Sequence, residues 1–252
     1  MKIDLGVGVA VSVNPGPLLE WQPRFALSGL TVHVGPYLDS LEHEHLFLRT
    51  VGSGDWHEAE DDELRFDRHS GMLESLMFHV PEDPVLSPPA CGGEVAEGED
   101  SVQLVLGEGR NFSLPRSKSR YVSERGDVLI CLRSGEAAGC STGGTLLNIA
   151  PELYLIAQDN RLQGWMLRHP ERCLTSSWEV PGQEPPDAEL SGFLARYFAL
   201  TASPNNERIA DGDPEVLQAL TELSRSLDPE SGATTRRAVL RAAIADLVDF
   251  FS

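Results

Sequence analysis

Apolar and polar residues alternate from the start of the chain. Ile3, Leu5, Val7, Val9, Val11 and Val13 interleave with Lys2, Asp4, Gly6, Gly8, Ala10 and Ser12. Period two predicts one strand with an apolar face and a small or polar face. Asn14-Pro15-Gly16-Pro17 ends it, because proline cannot donate to a ladder and glycine permits a reversal. A second strand is expected over residues 25–34, with Leu30, Val32 and Val34 on one face. Residues 64–80 read as a hairpin that turns through Arg68-His69-Ser70-Gly71. Residues 102–106 alternate again. Residues 128–132 are apolar on both faces, as a central strand would be. Two further segments, 153–157 and 162–167, flank a hairpin turn at Gln158-Asp159-Asn160-Arg161.

The period changes after Pro185-Pro186. Leu190, Phe193, Leu194 and Tyr197 share a helical face. Asp213 caps a helix that has Pro214 at its first position, and Val216, Leu217, Leu220, Leu223 and Leu227 follow at helical spacing. A last helix carries Val239, Leu240, Ala243, Ile244, Leu247, Val248 and Phe251, with Thr234 or Thr235 as its cap. The reading is α+β: a mostly antiparallel, β-rich body (sheet or sandwich) over residues 1–180, then about three helices over 181–252 packed on it. Residues 81–100, rich in proline, glycine and glutamate, are expected to form a mobile loop.

The chain has 252 residues and is 41% hydrophobic, enough for a sizeable core without staples. No apolar run reaches bilayer length and no export signal leads the sequence, so the expected location is the cytoplasm, without membrane contact. Cys91, Cys131, Cys140 and Cys173 form no C-x-x-C pair, which leaves them as reduced thiols, with Cys131 buried in its apolar run. Arginine outnumbers lysine 18 to 2, a bias that suits a bacterial genome of high G+C content.

The net charge of −19 is unevenly spread: residues 39–100 hold 17 acids and 3 bases. Such a stretch repels nucleic acid and anionic membrane, and attracts basic proteins. Its densest part, residues 55–63, offers a docking surface made of Asp55, Glu58, Glu60, Asp61, Asp62 and Glu63, with Trp56 as aromatic anchor. Arg116, Lys118 and Arg120 would share one face of a strand. They could hold an anion, or pair with the acidic stretch within the molecule.

Six of the seven histidines lie between His33 and His79. If residues 41–46 are a strand, His43 and His45 project together as metal ligands, and His57 or Asp55 completes the site; on a helix they point apart. No cofactor is expected by default, and a divalent metal there is the alternative. Gly139-Cys140-Ser141-Thr142-Gly143 spells G-x-S-x-G but lacks the strand before and helix after that a nucleophile elbow needs. Two readings follow. The first is an acidic, inhibitor-like binding protein that uses its negative surface on a basic protein partner. The second is a small-molecule enzyme, a lyase or cyclase, with its pocket between sheet and helices. Oligomeric state is not legible.

Overall fold

The computed structural model describes residues 1–6, 8–54, 61–85, 87–89, 101–134, 144–227 and 235–252. Strands come first and helices last. The first part of the chain gives β1 (Lys2–Gly6), β2 (Val9–Pro15), β3 (Arg24–Ala26), β4 (Thr31–Val34), α1 (Ser40–Arg49), β5 (Thr50–Gly52), β6 (Glu63–Asp67) and β7 (Leu73–His79). Then come β8 (Val102–Leu106), β9 (Ser119–Val122), β10 (Val128–Leu132), β11 (Thr145–Ala150), β12 (Leu153–Gln158), β13 (Arg161–Arg168) and β14 (Leu174–Thr175). The helices α2 (Ala188–Leu200), α3 (Asn205–Ala210), α4 (Pro214–Ser226) and α5 (Thr235–Phe251) complete it. The α+β expectation holds, with one helix more at the C-terminal end than the sequence suggested. Among the described residues no helix is long and apolar enough to cross a membrane.

Two mostly antiparallel sheets carry the body. One runs β11-β12-β13-β1-β2-β8, with β10 also on β13 and β9 on β10; the other runs β14-β3-β4-β7-β6-β5. A shared core joins them, and Phe78 of β7 stacks on Trp165 of β13 with ring centroids 5.4 Å apart. β10 is central and apolar on both faces, as expected: Leu129 and Cys131 enter the main core, while Ile130 and Leu132 pack with Tyr154, Ile156 and Met166 on the other side. The helices join the same core, with Phe198 of α2 stacked on Phe25 of β3.

Three local expectations need correction. Residues 2–13 are a hairpin, not one strand. Gly6 and Gly8 take φ of +94° and +74°, and Asp4 Oδ1 accepts from the Gly6 amide to close the turn. Ile3, Leu5, Val9 and Val11 all still point inward, so alternation alone could not reveal the reversal. Residues 25–34 also fold back, through a turn at residues 27–30. Part of the expected loop at 81–100 is pinned to the edge of β9: Arg120 donates its amide to Asp83 O, and Val85 donates to Arg120 O. Residues 86 and 90–100 lie outside the described residues, as do Cys91, Cys140 and the whole G-x-S-x-G match.

Candidate functional site

The acidic stretch turns inward where it is described. Asp61 Oδ2 accepts from the Leu114 amide at 3.1 Å. Asp62 is 3% exposed, and its Oδ1 accepts from the His79 amide and from the His79 ring at Nδ1. Arg116 reaches the opposite ring nitrogen, Nε2, at 2.9 Å. A guanidinium only donates, so Nε2 must be bare and Nδ1 must carry the proton given to Asp62. Desolvation raises the Asp62 carboxyl above its ordinary range, although the bonds from His79 pull it down. Glu63 Oε2 meets His43 Nε2 at 3.0 Å. These three acids therefore do not form a solvated docking face, which corrects the reading of residues 61–63. Asp55, Trp56, His57, Glu58 and Glu60 lie outside the described residues.

The cationic trio is split as well. β9 begins only at Ser119, so Arg116 is not on the strand and goes to His79, while Lys118 faces solvent. Arg120 is buried, and its guanidinium donates to Pro81 O and Phe198 O. The histidine pair fails for the reason anticipated. Residues 40–49 form α1, which buries His43 and exposes His45, so the two rings diverge. The helix had a readable start signal in Asp39-Ser40-Leu41-Glu42: Asp39 accepts from the Glu42 amide, and Glu42 reaches back to the Leu38 amide. Among the described residues no group of three or more His, Cys, Asp or Glu could hold a metal ion.

A different cluster meets the requirements of a site. β13 ends at Arg168, and His169 then enters the left-handed region at φ 50°, ψ 51°. A non-glycine residue there costs about 1–3 kcal/mol, and the proline that follows restricts it further. The backbone is held by His169 N–H to Asp127 O (2.7 Å) and Phe25 N–H to Cys173 O (2.6 Å). Between these anchors, Pro170-Glu171-Arg172 forms one 3-10 turn that buries Glu171 to 2% exposure.

Glu171 Oε1 stands 3.6 Å from both His169 Nδ1 and Arg172 Nε, too far for good hydrogen bonds. Its Oε2 and the Arg172 Nε make none. Desolvation raises the carboxyl above its ordinary value of 4.5, against the opposing pull of its own amide, His169, Arg172 and Ser191. The turn borders a cleft of about 530 Å³ between the end of the sheet and α2, lined also by Arg125, Asp127, Ser191 and Gly192. A second, polar cleft of about 280 Å³ shares His169 and Arg172 and adds Glu152, Glu184 and Arg236. Two guanidiniums at the larger cleft suit an anionic group, and a buried carboxyl with a raised pKa suits proton transfer. Cys173 lies beneath, but burial pushes its thiol up to about 12, which makes it a poor nucleophile.

Gly126 sets the width of this cleft. Its φ is +73°, and a Cβ there would stand 1.9 Å from Ser191 O on α2. Only glycine lets the β9–β10 turn, which carries Arg125 and Asp127, sit against the helix. Gly126→Ala is expected to cost more than about 1 kcal/mol and to push α2 outward. Denaturant melts should show the loss; an unchanged midpoint would mean that the turn moves freely.

Fold and cleft together define an α+β protein with a buried carboxyl at a cleft where its sheet meets its helices. No protein family, no curated protein and no solved structure matches the chain.

Proposed function

We propose that the chain is an acid–base enzyme of the lyase type, acting on a small anionic molecule in the cleft at Glu171. The observation that carries the reading is a buried carboxyl with one oxygen making no hydrogen bond, held in a strained turn at the edge of a cleft. For stability alone, a buried carboxyl with one oxygen left unpaired is a poor choice. Arg125 and Arg172 would hold the carboxylate or phosphate of the substrate. His169 would take a proton from the carbon beside that group, and Glu171, protonated, would give one to the departing hydroxyl. The C–H and C–O bonds break, a C=C bond forms and water leaves. The basic-protein-partner reading rests instead on the −19 charge of the chain and on the outer face of α1.

Glu171→Gln tests this in two ways. Small hydroxy acids and phosphate esters that raise the melting temperature of the native chain should be screened for loss of water. The variant should turn over any such substrate at least about 100-fold more slowly. Stability supplies the second readout. A carboxyl raised in the fold destabilises it once ionised; the cost is absent below about 4.5 and complete above the raised value. Glu171→Gln should therefore melt higher than the native chain at neutral pH, and the difference should vanish on acidification. A variant that melts lower at neutral pH would show Glu171 to be an ordinary structural ion-pair partner.

A further inference from the structure

Among the described residues, the outer face of α1 leaves large apolar side chains exposed. His43 and Leu46 face the core, while Leu41 and Leu48 are 58% and 66% exposed, with exposed His45 between them at i, i+4, i+7 spacing. Leu38, 55% exposed, precedes the helix cap. Single exposed leucines are common, but two on one short helix and a third just before its cap make a patch, and a patch of this kind is what a partner helix covers.

The surrounding charge says what kind of partner. Asp39, Glu42 and Glu44 flank the N-terminal half of the patch. Of the two exposed cations at the other end, Arg49 is paired with Glu74 at 3.1 Å, and Arg68 is spent on the carbonyls of Leu48 and Arg49. A second copy of the chain would bring the same acidic rim and another −19 of charge, so self-association through this face is opposed. We infer that α1 is the docking face for a basic amphipathic helix of another protein, whose apolar residues cover Leu38, Leu41 and Leu48 while its lysines or arginines meet Asp39, Glu42 and Glu44.

The test uses the full chain and a fluorescent synthetic helix of leucine and lysine, leucines at heptad spacing, alongside a twin with glutamate for lysine. Fluorescence anisotropy should show the lysine helix binding and the glutamate twin not. Binding should weaken as salt is raised to about 0.5 M. Leu41→Ser/Leu48→Ser, both at exposed positions, should leave the melting temperature unchanged and weaken the lysine helix by about tenfold or more. Glu42→Gln/Glu44→Gln should lower the association rate more than it raises the dissociation rate. Equal binding by the leucine double variant would overturn the inference, since the attraction would then be diffuse charge. So would a concentration-dependent dimer in sedimentation that the same double variant abolishes, because the face would then belong to a second copy.

Discussion

A chain stopped before Thr235 is expected not to fold. α5 buries Val239, Leu240 and Ile244 in the common core, worth roughly 5–9 kcal/mol at about 1.5–3 per large side chain. Whole domains of this kind are stable by only about 5–15 kcal/mol. Its first turn matters as much. Arg236 donates to Glu184 Oε2 and to Pro185 O, and Arg237 grips Asp187 through two bonds of 2.6 and 2.9 Å. Asp187 is also the cap of α2, accepting from the amides of Glu189 and Leu190. Arg237 is the main reason its carboxyl lies below the ordinary range. Removing α5 therefore uncovers the core and frees the start of the helix that walls the cleft. Circular dichroism and limited proteolysis should find a collapsed, protease-sensitive chain. A cooperative melt at the full-length temperature would show that α5 is only an appendage.

Arg120→Ala should be the most damaging single substitution on the sheet side. The side chain is 2% exposed and ties three parts of the fold together. Nη1 donates to Pro81 O at 2.9 Å, Nη2 donates to Phe198 O at 3.0 Å near the end of α2, and the guanidinium lies 4.6 Å from the Phe198 ring centroid. The last carbonyls of a helix carry partial negative charge, so a cation there is well placed. Truncation leaves two carbonyls without donors and opens a cavity, for a combined loss of about 3–5 kcal/mol. At about 2–4 °C per kcal/mol, the melting temperature should fall by roughly 6–20 °C. Arg120→Met should recover part of the packing but none of the hydrogen bonds, and so fall between. A loss below about 1 kcal/mol for the alanine variant would mean that sheet and helices are held by apolar contact alone.

Arg120 also shows how charge misleads when read along the chain. On paper it belongs with Arg116 and Lys118 as a basic strand face; in the fold the three go to a helix end, to His79 and to solvent. Asp62 likewise counted toward a surface, yet it is buried beneath His79. A charged residue reads the same in sequence whether water or a protein partner satisfies it, because burial is a property of what packs above it.

Periodicity was reliable for the type of element, though not for the reversals within residues 2–13 and 25–34, since it reports a local demand. The hairpin at 64–80, the turn at Asp159-Asn160, the two-faced β10, the Asp213-Pro214 start of α4 and the apolar stripe of α5 are all where their patterns put them. Capping, turn chemistry and side-chain alternation act within a few residues, so the sequence by itself determined these elements and the α+β class. What it could not determine was which elements meet. The cleft exists because Gly126 admits α2, Arg236 secures Glu184 and Pro185, and the turn at residues 170–172 carries Glu171 beneath them. Those contacts join residues 51 to 65 positions apart, and the carboxyl is raised because burial in the packed fold desolvates it. Only tertiary packing decides which glutamates lose their water, and so only the fold could single out Glu171.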